Sequence, residues 1–213
     1  ASYRDKDNRI VEPTTGSNYE LGTKASFAGD RLNFAAAIYL LEQDNLPVRD
    51  RSVTYQLPDG SNPYKSIDGT RSNGFEMELA GEVRPNIQLT ASYAYTTAKD
   101  GDGLRISTVT PRHSVKLSGI YAFETLPLTL SASLRWQSAI ENTWVWPVTG
   151  TARQGSYAVV GLMGRYDFQN GMSLSLNIDN LFDRKYLSLI DETYATGNYG
   201  APRNATLSLD YRF

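Results

Sequence analysis

At 213 residues, 40% of them hydrophobic, and with a formal net charge of -2, the chain has apolar material for a sizeable buried surface but no basic face such as a nucleic-acid partner requires. It has no cysteine, so neither a disulfide framework nor a thiolate metal site is available, which fits passage of an exported bacterial protein through an oxidising compartment. Nowhere is there a run of about 20 apolar residues, which excludes a helical membrane protein, while 14 Tyr and 17 Gly favour aromatic strands and tight connections, so the fold class is all-β.

Taken in chain order, apolar and polar residues alternate in nine stretches, the period of an extended strand. They run Asn18 to Phe27, Arg31 to Gln43, Gly74 to Val83, Ile87 to Ala98, Ser114 to Phe123, Leu128 to Ser138, Tyr157 to Phe168, Met172 to Phe182 and Asn204 to Phe213. Each matches a tilted strand crossing a bilayer, ~9 to 11 residues, rather than the ~5 to 6 of a globular strand. The connections alternate in kind. Ala28 to Asp30, Arg84 to Asn86, Glu124 to Pro127 and Gln169 to Gly171 are short; Glu42-Gln43 onward to Asn73, Lys99 to His113, Ala139 to Ser156 and Asp183 to Arg203 are long. Tight turns at one end and elaborate loops at the other are the layout of an antiparallel up-and-down transmembrane β-barrel, with turns in the periplasm and loops outside. Residues 1 to 17 then belong to an external loop.

The two faces of these strands differ in charge. One carries Tyr19, Leu21 and Phe27, then Phe34, Ile38 and Leu40, Phe75, Met77 and Val83, Leu117 and Tyr121, Leu130 and Trp136, and so on to Tyr211 and Phe213, without a charged residue. The opposite face holds Glu20, Lys24, Glu76, Glu78, Glu82, Lys116, Arg135, Arg165, Asp167, Asp179, Asp210 and Arg212. A Lys or Arg facing lipid at mid-depth costs ~2 to 4 kcal/mol, so an uncharged face is what a bilayer demands. Aromatics collect at both ends of that face. Tyr121, Phe123, Tyr166, Phe168, Tyr211 and Phe213 fall near the periplasmic rim, and Tyr19, Phe75, Tyr95 and Trp136 near the outer rim, as two interfacial girdles. A soluble sandwich or lipocalin-like barrel would turn the same face to a core, but seldom needs nine strands this long.

Two segments near the end carry a resemblance. NIDNLFDRKY, Asn177 to Tyr186, and YGAPRNATLSLDYRF, Tyr199 to Phe213, resemble the C-terminal signature of TonB-dependent outer-membrane receptors. There an Asn-Leu-Phe-Asp segment with a following Tyr closes the penultimate strand and Gly-x-Pro-Arg-Asn opens the last. EPTTGSNYELGTK, RLNFAAAIYLLEQDN, SNGFEMELAGEVRPNIQLTASYAYT and TPRHSVKLSG look like the same family's barrel pattern, so the likeness covers the whole chain. Its flavour is similar to ferric-siderophore receptors of the hydroxamate and pyoverdine kind. The resemblance implies a barrel of about 22 strands around an N-terminal plug with a TonB box, of which these nine strands would be the C-terminal portion, the plug and earlier strands lying outside this sequence. It also implies Asn180, Leu181, Phe182, Asp183, Tyr186, Gly200, Pro202, Arg203, Asn204 and Phe213 as an architectural signature, the terminal aromatic serving the barrel-assembly machinery. Physically, Asn180 and Asp183 can offer side-chain oxygens to backbone amides where strand yields to loop, with Phe182 at the outer interface. Nine is an odd count, and an unpaired edge cannot face lipid. A tenth strand in RDKDNRIVE would complete a small barrel, but its charge density opposes that.

The family's chemistry is binding and energised import, so no catalytic residue, metal site or covalently bound cofactor is expected. The transported ligand would be an iron(III)-siderophore, and the partners the TonB complex, the assembly machinery and outer-membrane lipid, with no nucleic acid. Ferric chelates are bulky and polar, and receptors of this family meet them with aromatic planes, which nominates Trp144, Trp146, Tyr194 and Tyr199 in the long loops and the inward-pointing Tyr39, with Tyr64 weaker. Loop packing is the plainer role for each. His113, the only histidine, reads as a solvated strand-end residue, and KDGDG, Lys99 to Gly103, as a polar loop without the donors of a calcium site. The lumen charges are mixed in sign, with Arg135, Arg165 and Asp167 mainly structural. The alternatives are a passive porin-like channel, a receptor of this class for haem or cobalamin, an outer-membrane enzyme using His113, and a soluble β-protein.

Overall fold

The computed structural model describes residues 3–106, 108–144, 149–168, 170–191 and 196–212, Trp144 by its backbone only. Its elements in chain order are β1 (Thr15–Phe27), β2 (Leu32–Asp44), β3 (Leu46–Arg49), β4 (Tyr64–Ile67), β5 (Thr70–Arg84), β6 (Ile87–Lys99), β7 (Arg105–Ile106) and β8 (His113–Ala122), followed by β9 (Leu128–Gln137), β10 (Ile140–Trp144), β11 (Gly150–Gln154), β12 (Tyr157–Asp167), β13 (Met172–Asp179), β14 (Leu187–Ile190), β15 (Gly197–Tyr199) and β16 (Asn204–Tyr211). No helix occurs among the described residues.

Nine long strands form one antiparallel meander in the order β1-β2-β5-β6-β8-β9-β12-β13-β16, each hydrogen-bonded to the next wall strand in sequence. These are the nine expected stretches, and their register places like faces opposite like. Leu21 lies across from Ile38, Ile38 from Phe75, Phe75 from Tyr95, and Leu117 from both Ala91 and Leu134. The uncharged face is open rather than packed on a core. Leu21 is 73% exposed and Leu207 67%, and Met77, Leu117, Leu130, Leu162 and Leu176 are each near 40%. Such a contiguous apolar surface is a bilayer-facing one. Among the described residues nothing packs on that face as a soluble barrel's core would.

The aromatic girdles form as contacting pairs. At the turn end Tyr121 and Phe123 meet edge-on at 4.5 Å and Tyr166 and Phe168 at 5.0 Å, and at the loop end Phe75 lies 5.1 Å from Tyr93. His113 belongs to the second group. Its ring lies 4.9 Å from that of Tyr95, and Nδ1 shares a 2.7 Å hydrogen bond with the Tyr93 hydroxyl. The solvated strand-end reading is thereby corrected, because directly opposite Tyr95 the strand register leaves the imidazole on the belt side.

Several boundaries differ from expectation for local reasons. β1 starts at Thr15, so Thr15, Gly16 and Ser17 join the wall rather than an external loop, paired to Asp44, Gln43 and Glu42. β5 starts at Thr70, four residues before Gly74. β13 stops at Asp179 rather than Phe182, because Asn180 takes φ +50°, outside the extended region. The segment RDKDNRIVE adds no wall strand, since Arg4 and Ile10 bridge each other across a tight turn. Among the described residues β1 pairs only with β2 and β16 only with β13, so the sheet is open at both edges. The tight turn Ala28-Gly29-Asp30 holds three consecutive positive φ angles, 54°, 67° and 64°, which reverse the chain between β1 and β2.

Candidate functional site: the loop crown

Each long connection folds back on itself. Residues 45–69 hold the hairpin β3-β4, residues 100–112 hold β7 docked on β6, residues 138–156 hold β10-β11, and residues 180–203 hold β14-β15. Here lie most of the buried side chains that the wall lacks. Ile140 (3% exposed) and Ile190 (1%) form a small apolar cluster with Val109, Ala152 and Leu187, drawn from three of the four connections.

Around it the loops are stitched by polar contacts. Asn142, 6% exposed, donates from Nδ2 to the Asp191 carbonyl at 2.8 Å and accepts at Oδ1 from Arg51 Nη2 at 3.5 Å, and Arg51 Nη1 also donates to the Thr143 carbonyl. The Glu141 amide donates to the Thr108 carbonyl at 3.1 Å, and the Leu187 amide to Gln154 Oε1 at 2.7 Å. β10 is therefore the hub on which all four connections meet. Neither Arg51 nor Asn142 was nominated from sequence; partners 91 positions apart leave no local signal.

In the first connection Asp50 accepts from the Ser52 hydroxyl at 2.6 Å and its amide at 3.1 Å, which together hold the carboxyl below the ordinary carboxylate range against the opposing effect of burial, with help from Lys65 and Lys6. Asp59 repeats the device on Ser61, and its carboxyl is also lowered, by the hydroxyl first and the amide second. In KDGDG, Asp100 Oδ1 accepts from the amides of Asp102 and Leu104 and closes the loop.

The signature residues meet where the fourth connection leaves and re-enters the wall. Asn180, 3% exposed, accepts the Arg184 amide at 2.8 Å and donates to the carbonyls of Arg184 and Ala201 at 3.0 Å each. The positive φ it adopts is one that Asn tolerates better than most residues. Leu181 N–H donates to the Val160 carbonyl at 2.8 Å, tying this corner to β12, and Phe182 projects outward, 75% exposed. Asp183 accepts the Arg203 amide at 2.9 Å, and Arg203 reaches the Leu181 carbonyl at 3.5 Å. Tyr186 is buried and stacks on Tyr157 at 4.3 Å; the Gly200 amide donates to its carbonyl at 2.9 Å. Gly200 lies against the Tyr186 ring so closely that any Cβ there would collide with it. Pro202, which has no N–H to leave unpaired, leads into Asn204, opposite Asp179.

Of the aromatic candidates for ligand contact, Tyr39, Tyr64 and Tyr199 have described side chains. Tyr39 points to the lumen side, crosses Gly74 and shares a 2.5 Å hydrogen bond with Thr96 Oγ1. Tyr199 sits in β15, 78% exposed, opposite Leu187. Trp144 ends β10 and its side chain is not described, while Trp146, Tyr194 and the terminal Phe213 lie outside the described residues. Tyr64 is partnered by Tyr3, ring to ring at 4.5 Å. The lumen face holds a recess of about 590 Å³ lined by Glu20, Lys24, Glu76, Glu78 and Lys116, and Arg165 pairs with Asp167 at 3.0 Å and Arg31 with Glu82 at 3.5 Å.

A meander with tight turns at one rim, an uncharged outward face between two aromatic girdles, a charged lumen face and a folded crown of loops define an outer-membrane β-barrel wall. The chain belongs to the TonB-dependent receptor-like β-barrel family, whose model matches residues 2–181. It is 37% identical over 212 residues to the ferric-pyoverdine BN7/BN8 receptor of Pseudomonas putida, and 31% identical over 221 residues to the ferripyoverdine receptor of Pseudomonas aeruginosa. These alignments cover 98% and 99% of this chain but 24% and 26% of those proteins, so the chain spans about a quarter of their length. In structure it is similar to the pyoverdine outer-membrane receptor of Pseudomonas aeruginosa PAO1 bound to pyoverdine, with a TM-score of 0.85 and 32% identity over 99% of this chain and 31% of that one. Likeness to the ferric-catecholate import receptor of Escherichia coli K12, TM-score 0.78 at 23% identity, concerns the fold. Members of this family are transport receptors of the outer membrane, not enzymes.

Proposed function

We propose that this chain is the C-terminal wall and loop crown of a receptor that binds an extracellular ferric siderophore of the pyoverdine kind and imports it to the periplasm with energy supplied through TonB. The observation that carries this reading is the likeness, over nearly the whole chain, loops included, to a receptor bound to pyoverdine. On this reading the nine wall strands belong to a barrel of about 22, closed by earlier strands against the open edges of β1 and β16. An N-terminal plug carrying the TonB box fills the lumen, and the mixed charges there face it. The Trp144, Trp146, Tyr194 and Tyr199 aromatics of the crown, with Tyr39 below them, meet the chelate. The last strand engages the assembly machinery through Phe213.

The test is uptake by the full-length protein in a siderophore-deficient host lacking its own ferric-siderophore receptors. Radioactive iron supplied as ferripyoverdine should enter only when TonB is functional, and the purified protein should conduct almost nothing in planar bilayers. Uptake of haem or cobalamin in place of ferripyoverdine would move the receptor to another ligand. Steady conductance with TonB-independent uptake would replace the reading with a passive channel.

A further inference from the structure

Strict alternation would turn Arg84, the last residue of β5, to the lumen side with Glu82. A bulge reverses it. Glu82 pairs with Gln88 but Arg84 with Ile87, so Val83 is the extra residue and Arg84 comes out on the face that Ile87 shares with Tyr121. Gly81 anchors the shift, its positive φ of 142° laying it against the Arg31 carbonyl where any Cβ would collide, and the Glu82 amide donates to that carbonyl at 2.8 Å. A cation thus stands at the periplasmic rim of the outward face, exposed and without an ion pair among the described residues.

Beside it the wall is hollowed. From Ile87 and Tyr121 a groove of about 560 Å³ crosses the outward side of β8, β9, β12 and β13, floored by Gly119, Ala132 and Gly164 and flanked by Leu162 and Leu176. Its lining is almost wholly carbon. Gly119 lies two residues up the strand from Tyr121 of the turn-end girdle, ~7 Å at ~3.3 Å per residue, so the groove opens into the periplasmic half of the hydrocarbon. The chain's own packing does not ask for these glycines. Beyond its chain neighbours, a Cβ on Gly119 would come no closer than 3.8 Å to any atom and one on Gly164 no closer than 3.4 Å, whereas at Gly16, Gly22, Gly74, Gly81 and Gly161 it would press on a neighbour at 3.2 Å or less. A glycine inside a strand weakens it, and one that neither bulges nor bends the chain marks close approach from outside.

We infer that Arg84 and this groove form a docking site for one inner-leaflet phospholipid, its phosphodiester on the guanidinium and an acyl chain laid over Gly119, Ala132 and Gly164. The two halves of the site match the two halves of such a molecule: an unpaired cation at the rim and, one strand away, a nearly all-carbon cleft. The groove is continuous with the membrane-contacting surface, so a chain enters it without leaving the hydrocarbon, and a free phosphate would make no use of it. The site rests on the membrane placement of this wall and is independent of which ligand the crown admits.

Native mass spectrometry of the full-length protein in mild detergent, titrated with dipalmitoyl phosphatidylglycerol, tests this. Gly119→Val combined with Gly164→Val fills the groove and should weaken retention roughly fivefold, as should Arg84→Gln alone. Ala25→Val combined with Ala36→Val, on the outward face of β1 and β2 away from the groove, should leave it unchanged. Folding of each variant is checked by heat-modifiable gel mobility, and should the valine pair fail it, Gly119→Ala with Gly164→Ala is read instead, with a loss of about twofold expected. Unchanged retention in either the groove variant or Arg84→Gln overturns the site. So does displacement by millimolar glycerol phosphate, which would mark a simple anion site, or the loss on groove filling of a copurifying polypeptide in place of the lipid, which would give the groove to a protein partner.

Discussion

The wall and the crown of this chain are built on opposite rules. In the wall, strands pair over six to thirteen positions, yet the apolar side chains stay largely exposed, Leu21 and Leu207 most of all. In the crown the strands are two to five residues long, yet Ile140, Ile190, Asn142 and Tyr186 are buried. A soluble protein gathers its core beneath its sheets. Here the bilayer takes that role for the wall, so protein-protein burial is left to the loops, which must pack on one another because water surrounds them. Stability of the wall should therefore answer to lipid contact and that of the crown to a few shared hydrogen bonds.

The sharpest way to break the comparison is a charge at mid-wall. Leu117→Arg on the outward face of β8 should cost ~2 to 4 kcal/mol in urea unfolding of the vesicle-inserted protein, and Ser118→Arg, one residue on and facing the lumen, far less. Equal losses would mean that lipid does not touch the Leu117 side. Next comes the corner where the two regions join. Asn180→Ala deletes three hydrogen bonds and leaves an Ala at φ +50°, together about 2 to 3 kcal/mol. Hydrogen exchange should quicken through residues 180–203 while β12 and β13 keep their protection. If β13 opens as well, the corner supports the wall and not only the loop.

How much of this was legible follows the same division. Alternation named all nine wall strands and both girdles because each strand's environment has the strand's own period, and neighbours in sequence are neighbours in the sheet. Its errors came at strand ends. Thr70 to Asn73 and Thr15 to Ser17 extend beyond the bilayer, where the lipid-driven pattern stops, and Phe182 looks like one more apolar position although Asn180 has already turned the chain. His113, read as a solvated strand-end residue, instead joins the belt, where the Tyr93 hydroxyl meets its ring nitrogen. At the corner itself, Asn180 and Asp183 do accept amides, since the chemistry of Asx side chains at a strand exit is local. The crown was not legible. Nothing near Asn142 announces Arg51 or Asp191, and the three hairpins and β7 inside the connections read as loops because two- to five-residue strands carry too few alternations to count.

Within the crown the hub should outweigh its spokes. Asn142→Ala removes the acceptor of Arg51 and the donor to Asp191, about 1 to 2 kcal/mol, and should speed exchange in residues 45–69 and 183–191 together. A change confined to one of them would show that the loops fold separately.

The smallest effect sharpens the contrast through pH. Asp50 is ionised more readily in the folded loop than in an unfolded one because Ser52 donates to it twice, so the stabilisation is fully present at neutral pH and is lost as pH falls through the lowered folded value, from about pH 4 downward. Pepsin, active in that window, should nick residues 45–69 increasingly as pH falls while the wall resists, because no charge is needed to hold strands in lipid. Ser52→Ala removes the hydroxyl, the larger of the two donors, and should make the loop susceptible at higher pH, shrinking the acid-dependent step. An unchanged step in that variant would assign the acid sensitivity to another carboxylate, with Asp59 on Ser61 the next to test.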